Sequence, residues 1–279
     1  MLWIFLLLSA AGGVASVLCG CGFSDRNALW IFPAAFVSVF LICVLLLALL
    51  VVVTSLFYRK ERDLARPSRF CRFVLSQFSR TAFSLAGVRL HTDGLEKIPS
   101  SRRFLLVCNH RFAFDPMLFF ASMGRTELAF IAKIESFHYP IVSSYLRALL
   151  CLPLDRNDDR QALKTIIRSI QLLKEDVTSV AIFPEGGTNR TDAPLLPYRN
   201  GAFKAAQKAG VPIVVCCLSN TRAIPKNMFR RRTDVYLSVL DVIEPERFAG
   251  SSTADISAMI RPIMEEGLNV QQAKLKSRA

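Results

Sequence analysis

Hydrophobic positions divide the chain into two unlike parts. Residues 1–23 and 29–57 are nearly unbroken apolar runs, separated only by Ser24, Asp25, Arg26 and Asn27. A helix that crosses the hydrocarbon core needs about 20 apolar residues, so each run is long enough. The pattern predicts an N-terminal hydrophobic helical hairpin serving as a membrane anchor over 1–58. No basic residue precedes the first run, which argues against a cleaved signal peptide. Its glycines weaken it, and a shallow placement in the bilayer stays open beside a spanning one.

Residues 67–86 change the period. Phe70, Phe73, Val74, Phe78 and Ala82 recur at helical spacing, with Arg69, Arg72 and Arg80 off that stripe. Such a helix either lies in the membrane interface or packs on the core. With the basic residues before it, 59–87 reads as a basic amphipathic interfacial segment. From residue 88 short apolar runs alternate with helical patterns. Phe104–Cys108, Leu128–Ala132, Thr178–Phe183 and Val211–Leu218 read as buried strands, and Val235–Leu240 as a more alternating one. Leu163, Ile166, Ile167, Ile170 and Leu173 mark one face of a helix. The tail after Leu268 reads as frayed. This alternation predicts a layered α/β domain over 88–279, a largely parallel sheet flanked by helices.

Charge sharpens the picture. The 279 residues are 52% hydrophobic, yet carry 35 Lys and Arg against 22 Asp and Glu, a net charge of +13. Such a balance suits an anionic partner. No zinc-finger spacing or glycine-aromatic RNA-binding signature is present, so an anionic membrane surface is the expected partner, not nucleic acid. Arg59, Lys60, Arg62, Arg66, Arg69 and Arg72 crowd the far end of the second apolar run, whereas the loop between the runs has no net charge. The positive-inside bias then places an integral membrane protein with its main domain on the cytoplasmic side. The eight cysteines lie within apolar runs, which fits reduced core thiols better than a disulfide framework. Three histidines suggest no metal site.

Ligands of open α/β sheets bind beyond the carboxyl ends of strands. Two polar clusters fall at such places. Asn109-His110-Arg111-Phe112-Ala113-Phe114-Asp115-Pro116 follows the Phe104–Cys108 run, and Pro184-Glu185-Gly186-Gly187-Thr188-Asn189-Arg190 follows Thr178–Phe183. Asp115-Pro116 predicts a helix start with Asp115 as its cap. His110 then lies on the strand-to-helix turn, where Asp115 can fold back onto the imidazole. A carboxylate on one ring nitrogen fixes the tautomer and frees the other to accept a proton. Cys108 raises an acyl-enzyme alternative, but its place within a strand favours a buried core thiol.

Together these blocks resemble the glycerolipid acyltransferase family. Asn109-His110 with Asp115 and Pro116 matches its first motif, and Leu152-Pro153-Leu154-Asp155-Arg156 its second. Phe183-Pro184-Glu185-Gly186 opens the third, and Val211-Pro212-Ile213 matches the fourth. Lys133-Ile134-Glu135 and Gly201-Ala202-Phe203 match intervening segments. Two departures stand out. Gly187 is extra in the third block, and Leu152 replaces a glycine that usually opens the second.

The resemblance implies an acyltransferase of phospholipid synthesis with His110 as general base and Asp115 as its partner. Lys133 and Arg156 would hold an acceptor phosphate, Glu185 and Gly186 would shape the acceptor pocket, Thr188 could donate a hydrogen bond, and Arg190 is a further basic candidate. No cofactor or metal is expected, since the acyl donor, acyl-CoA or acyl-carrier protein, is a substrate. Lysophosphatidic acid is the expected acceptor. Glycerol 3-phosphate, another lysolipid, or a lipid-binding protein without catalysis are the alternatives.

Overall fold

A computed structural model describes residues 2–20, 28–59 and 64–277. The Ser24–Asn27 loop, Lys60 and Arg62 lie outside the described residues. The two apolar runs form α1 (Leu2–Gly20) and α2 (Ala28–Phe57), of 19 and 30 residues. At 1.5 Å per residue α2 is about 45 Å long, ample for a bilayer. The stretches Leu2–Cys19 and Trp30–Phe57 are each long and apolar enough to cross one. Trp3, Leu45 and Leu56 are among the many large apolar side chains they expose. The glycines of α1 have a packing reason. A Cβ at Gly12 would come within 2.9 Å of Val39, and one at Gly13 within 2.9 Å of Phe32, so the α1–α2 contact depends on their absence. The hairpin docks through the last turns of α2, where Val51 is buried and its carbonyl accepts from Tyr145 Oη at 3.2 Å.

The third helix, α3 (Arg69–Leu85), starts at Ser68, whose side chain accepts from Cys71 N. Its buried face differs from the expected stripe. Cys71, Val74, Ser79 and Phe83 face inward, even Arg72 is buried, and Phe70 and Phe73 are exposed. The small side chains at Ser76 and Ser79 let α3 lie close against α4 (Asp115–Ser122). Gly124, just beyond α4, is so near that a Cβ there would meet Ser76 Oγ.

Seven strands form one sheet in the order β1 (Val88–Asp93), β7 (Thr233–Ile243), β6 (Ile213–Ser219), β2 (Leu105–Val107), β5 (Ser179–Ile182), β3 (Leu128–Lys133) and β4 (Leu152–Leu154). All neighbours are parallel except β6 and β7. β1 and β4 arise from segments not read as strands. β4 is only three residues long and centred on Pro153, which suits an edge position.

The unbroken apolar runs are explained by helices on both faces. Side chains alternate: Leu106, Cys108, Val214 and Cys216 face one core layer, whereas Leu105, Val107, Ile213 and Val215 face the other. α3, α4 and α5 (Pro140–Ala148) contribute to the first layer; α6 (Asp159–Lys174), α7 (Lys204–Ala209) and α9 (Thr253–Lys276) contribute to the second. The short α8 (Ile224–Asn227) joins β6 to β7. Phe104, Phe119 and Phe203 are almost wholly buried, so truncating any to alanine costs about 3–5 kcal/mol.

Two expectations are corrected. α6 exists, but it buries Thr165, Ser169, Leu172 and Leu173, whereas Leu163 and Ile167 are exposed. The chain after Leu268 is not frayed: α9 continues to Lys276, and Gln271 is buried with Nε2 bonded to Ser238 Oγ at 2.9 Å.

Candidate active site

His110 follows β2 by three residues, at the carboxyl end of the parallel strands. Asn109 fixes the exit from the strand. Its Nδ2 donates to Leu218 O at 2.9 Å and its Oδ1 accepts from Leu218 N at 2.7 Å, tying the turn to β6. The next turn then folds back. Asp115 Oδ2 lies 2.9 Å from His110 Nδ1 and also accepts from Arg111 N at 2.7 Å and Phe112 N at 2.9 Å. Asp115 is therefore the first residue of α4 and not its cap: its carboxylate points upstream, away from the helix amides. It is completely buried, while the His110 side chain keeps 15% exposure.

A second carboxylate supports the same turn. Glu185 Oε1 accepts from His110 N at 2.8 Å and Oε2 accepts from Leu196 N at 2.8 Å. Burial raises its pKa above the ordinary glutamate value, and the two amide bonds pull against that shift. Phe183 stacks on the imidazole at 4.2 Å with planes 14° apart. The ring is thus held by Asp115 at Nδ1 and by Phe183 on one face. Nε2 has no partner among the described residues.

His110 lines a cleft of ≈ 760 Å³. Lys133, Arg156, Gly186, Thr188 and Arg190 line the same cleft, so five of the expected binding residues meet there. Glu185 does not. It sits behind the wall as a brace for His110, through His110 N and Leu196 N. Lys133 Nζ pairs with Glu135 at 2.6 Å, and both side chains are more than half exposed. Arg156 pairs with neither nearby acid among the described residues. Asp155 accepts instead from Asn157 N at 2.9 Å, and Asp158 caps α6 through Arg160 N and Gln161 N. The extra glycine now has a role: a Cβ at Gly187 would lie 3.1 Å from Arg156 Nη1, so the backbone there makes room for the guanidinium.

Several contributors escaped the sequence reading. Phe183 was read as a strand end and as the opening of the third block, but not as the ring that stacks on His110. Asn189 is buried and holds the turn through Thr191 N at 2.9 Å and Ala193 O at 2.9 Å. Arg199 lines the cleft beside Gly186, whose φ of +70° lets the chain turn there. A lone arginine between Tyr198 and Asn200 gave no signal of this. Cys108 is fully buried, its pKa pushed well above the usual thiol value by burial, and its thiol reaches Asn109 Oδ1 at 3.6 Å. A thiol kept protonated there is a poor nucleophile.

The family model described as Acyltransferase matches residues 89–219, from β1 to the end of β6. Over those residues, a little under half of the chain, the protein is similar to the acyltransferase family. Among the curated proteins similar to this chain are several 1-acyl-sn-glycerol-3-phosphate acyltransferases. One is the 1-acyl-sn-glycerol-3-phosphate acyltransferase of Borreliella burgdorferi, 27% identical over 179 residues, or 63% of this chain and 70% of that protein. Another is the chloroplastic 1-acyl-sn-glycerol-3-phosphate acyltransferase BAT2 of Brassica napus, 34% identical over 132 residues, or 47% of this chain and 38% of that protein. The fold is shared with the crystal structure of the 1-acyl-sn-glycerophosphate acyltransferase PlsC from Thermotoga maritima. That likeness has a TM-score of 0.64 and 22% identity, and it covers 98% of each chain.

Proposed function

We propose that this acyltransferase moves an acyl chain from an acyl thioester to the free hydroxyl of lysophosphatidic acid, giving phosphatidic acid. The observation that carries the reading is His110: Nδ1 is occupied by Asp115 while the ring lines a cleft rimmed by Lys133, Arg156 and Arg190. Such a base must sit within hydrogen-bond reach of the hydroxyl it deprotonates. Nε2 takes the proton of the acceptor hydroxyl as its oxygen attacks the thioester carbonyl carbon. The carbon–sulfur bond breaks, the thiolate leaves, and the imidazolium can return the proton to sulfur. Asp115 stabilises the imidazolium without taking the proton. Arg156 suits the phosphate because its planar fork bonds two oxygens at once. Thr188 offers a hydroxyl donor in the same cleft, and the backbone at Gly186 shapes its wall.

Two apolar helices favour a lipid acceptor that resides in the bilayer over soluble glycerol 3-phosphate. The domain then lies on the cytoplasmic face, as the basic residues after α2 direct. Acyl-CoA or acyl-carrier protein serves as donor, and neither is a resident cofactor. Initial rates on purified protein with lysophosphatidic acid, glycerol 3-phosphate and lysophosphatidylcholine, each with both donors, test the proposal. Lysophosphatidic acid should give the highest kcat/KM. Equal or greater use of either other acceptor would overturn it.

A further inference from the structure

The opposite end of the sheet carries a second charged cleft. Phe104, which precedes β2, Glu127, which precedes β3, and Ser179, which opens β5, all line it. These strands run parallel, so this cleft lies at their amino ends and the His110 cleft at their carboxyl ends. From Glu127 to Lys133 the extended chain covers about 20 Å. The two clefts are separate.

The second cleft measures ≈ 910 Å³, and seven of its lining residues are arginines. Arg66, Arg69, Arg72 and Arg80 come from α3 and the segment before it, and Arg125 from the turn before β3. Glu127 is the one carboxylate among the described lining residues. Three arginines share it: Arg103 at 3.0 Å, Arg72 at 3.7 Å and Arg69 at 3.8 Å. Acids outside the lining reach Arg102, through Glu244 at 2.6 Å, and Arg103, through Asp176 at 2.8 Å. Arg66, Arg80 and Arg125 pair with no carboxylate among the described residues.

Arg72 is the decisive side chain. It is 8% exposed, and its Nη1 is buried without a hydrogen-bond partner among the described residues. Burial pushes its pKa down against the pull of Glu127, and the like charges of Arg69 and Arg103 push the same way. A buried guanidinium with unused donors is costly unless an acceptor joins it.

We propose that this cleft is a phosphate-binding site, distinct from the catalytic cleft, that takes a phosphomonoester or phosphodiester through the guanidinium forks of Arg69, Arg72 and Arg125. Guanidinium forks match paired phosphate oxygens. Either an anionic lipid headgroup or a soluble phosphate can present that chemistry. The anchor is close: Tyr58 Oη, just past α2, lies 3.0 Å from Ser68 Oγ, beside Arg69 and the exposed Phe70 and Phe73.

Thermal unfolding of the full chain in an uncharged detergent tests the site. The titrants are sodium pyrophosphate and short-chain phosphatidylglycerol at constant ionic strength, with phosphatidylcholine and sodium chloride as controls. The midpoint should rise with pyrophosphate, phosphatidylglycerol or both, and not with the controls. A rise with phosphatidylglycerol alone assigns a lipid headgroup; a rise with pyrophosphate assigns phosphate itself. In R69Q/R125Q the half-saturating concentration should increase at least about 10-fold. Both positions are exposed, so that variant keeps its fold. R156Q, altered in the His110 cleft, should keep the part of the response that R69Q/R125Q weakens. No rise with either titrant, an unchanged response in R69Q/R125Q, or a response lost in R156Q would each overturn the site.

Discussion

Asp115 Oδ2 sits 2.9 Å from His110 Nδ1 while accepting two backbone amides of the same turn. One carboxylate oxygen therefore sets both the shape of the turn and the tautomer of the ring. With Nδ1 held as a donor, Nε2 is the nitrogen that can accept a proton.

The acyl-enzyme route makes a separate demand. Cys108 is fully buried and its thiol is held protonated by its surroundings. C108A should keep turnover within severalfold of the unaltered chain, measured as initial rate on folded protein. Loss of activity in a folded C108A variant would restore cysteine as a nucleophile.

Arg156 carries the acceptor-phosphate assignment. Losing a charge-assisted contact costs about 1.5–3 kcal/mol, roughly 10- to 150-fold. R156A should raise KM for the phosphorylated acceptor by that factor and leave KM for the thioester nearly unchanged. R156K should recover only part, because an ammonium lacks the fork. G187A should raise the same constant more mildly, since its Cβ would press on Nη1 at 3.1 Å. An unchanged acceptor constant in R156A would shift the contact to Lys133 or Arg190.

Glu185 predicts a pH dependence of stability. Its pKa is raised chiefly by burial, so the folded chain holds that proton to higher pH than the unfolded chain does. The stability contributed by this group is fully present below the ordinary glutamate pKa and is lost as pH rises through the raised folded value. E185Q should flatten that part of the Tm-against-pH curve. It should also lower stability by about 1–3 kcal/mol at neutral pH, because glutamine cannot accept from both His110 N and Leu196 N. Parallel curves for the two proteins would show that Glu185 titrates as an ordinary glutamate.

How much of this was legible in the sequence depended on locality. His110 and Asp115 are five residues apart, so one turn brings them together and the motif carries the geometry. The cleft also needs Phe183, Gly187 and Arg199, whose contacts are with partners far away in sequence: the third block marked the first two without showing what they touch, and no local pattern marked Arg199. The apolar stripe on α6 misled for a related reason. Ala162 and Ile166 line the cleft beside His110, Leu163 and Ile167 face outward, and smaller residues Thr165 and Ser169 face the core. β4 was hidden by its three-residue length and by Pro153, whereas the continuous runs of β2, β5 and β6 showed plainly because helices cover both faces.

Orientation is tested by labelling. A cysteine placed in the 224–233 segment, with Cys19, Cys21 and Cys43 changed to serine, should resist a membrane-impermeant thiol reagent in intact cells. Detergent should expose it. Strong labelling of intact cells would reverse the assigned orientation.

The most direct test of the central claim is the rate at which purified H110A forms phosphatidic acid from lysophosphatidic acid and an acyl thioester. General-base catalysis is worth about 10²- to 10⁴-fold. H110A should therefore turn over at least about 100-fold more slowly than the unaltered chain, with an unchanged circular dichroism spectrum. Near-normal turnover by folded H110A would contradict the assignment of His110 as the base.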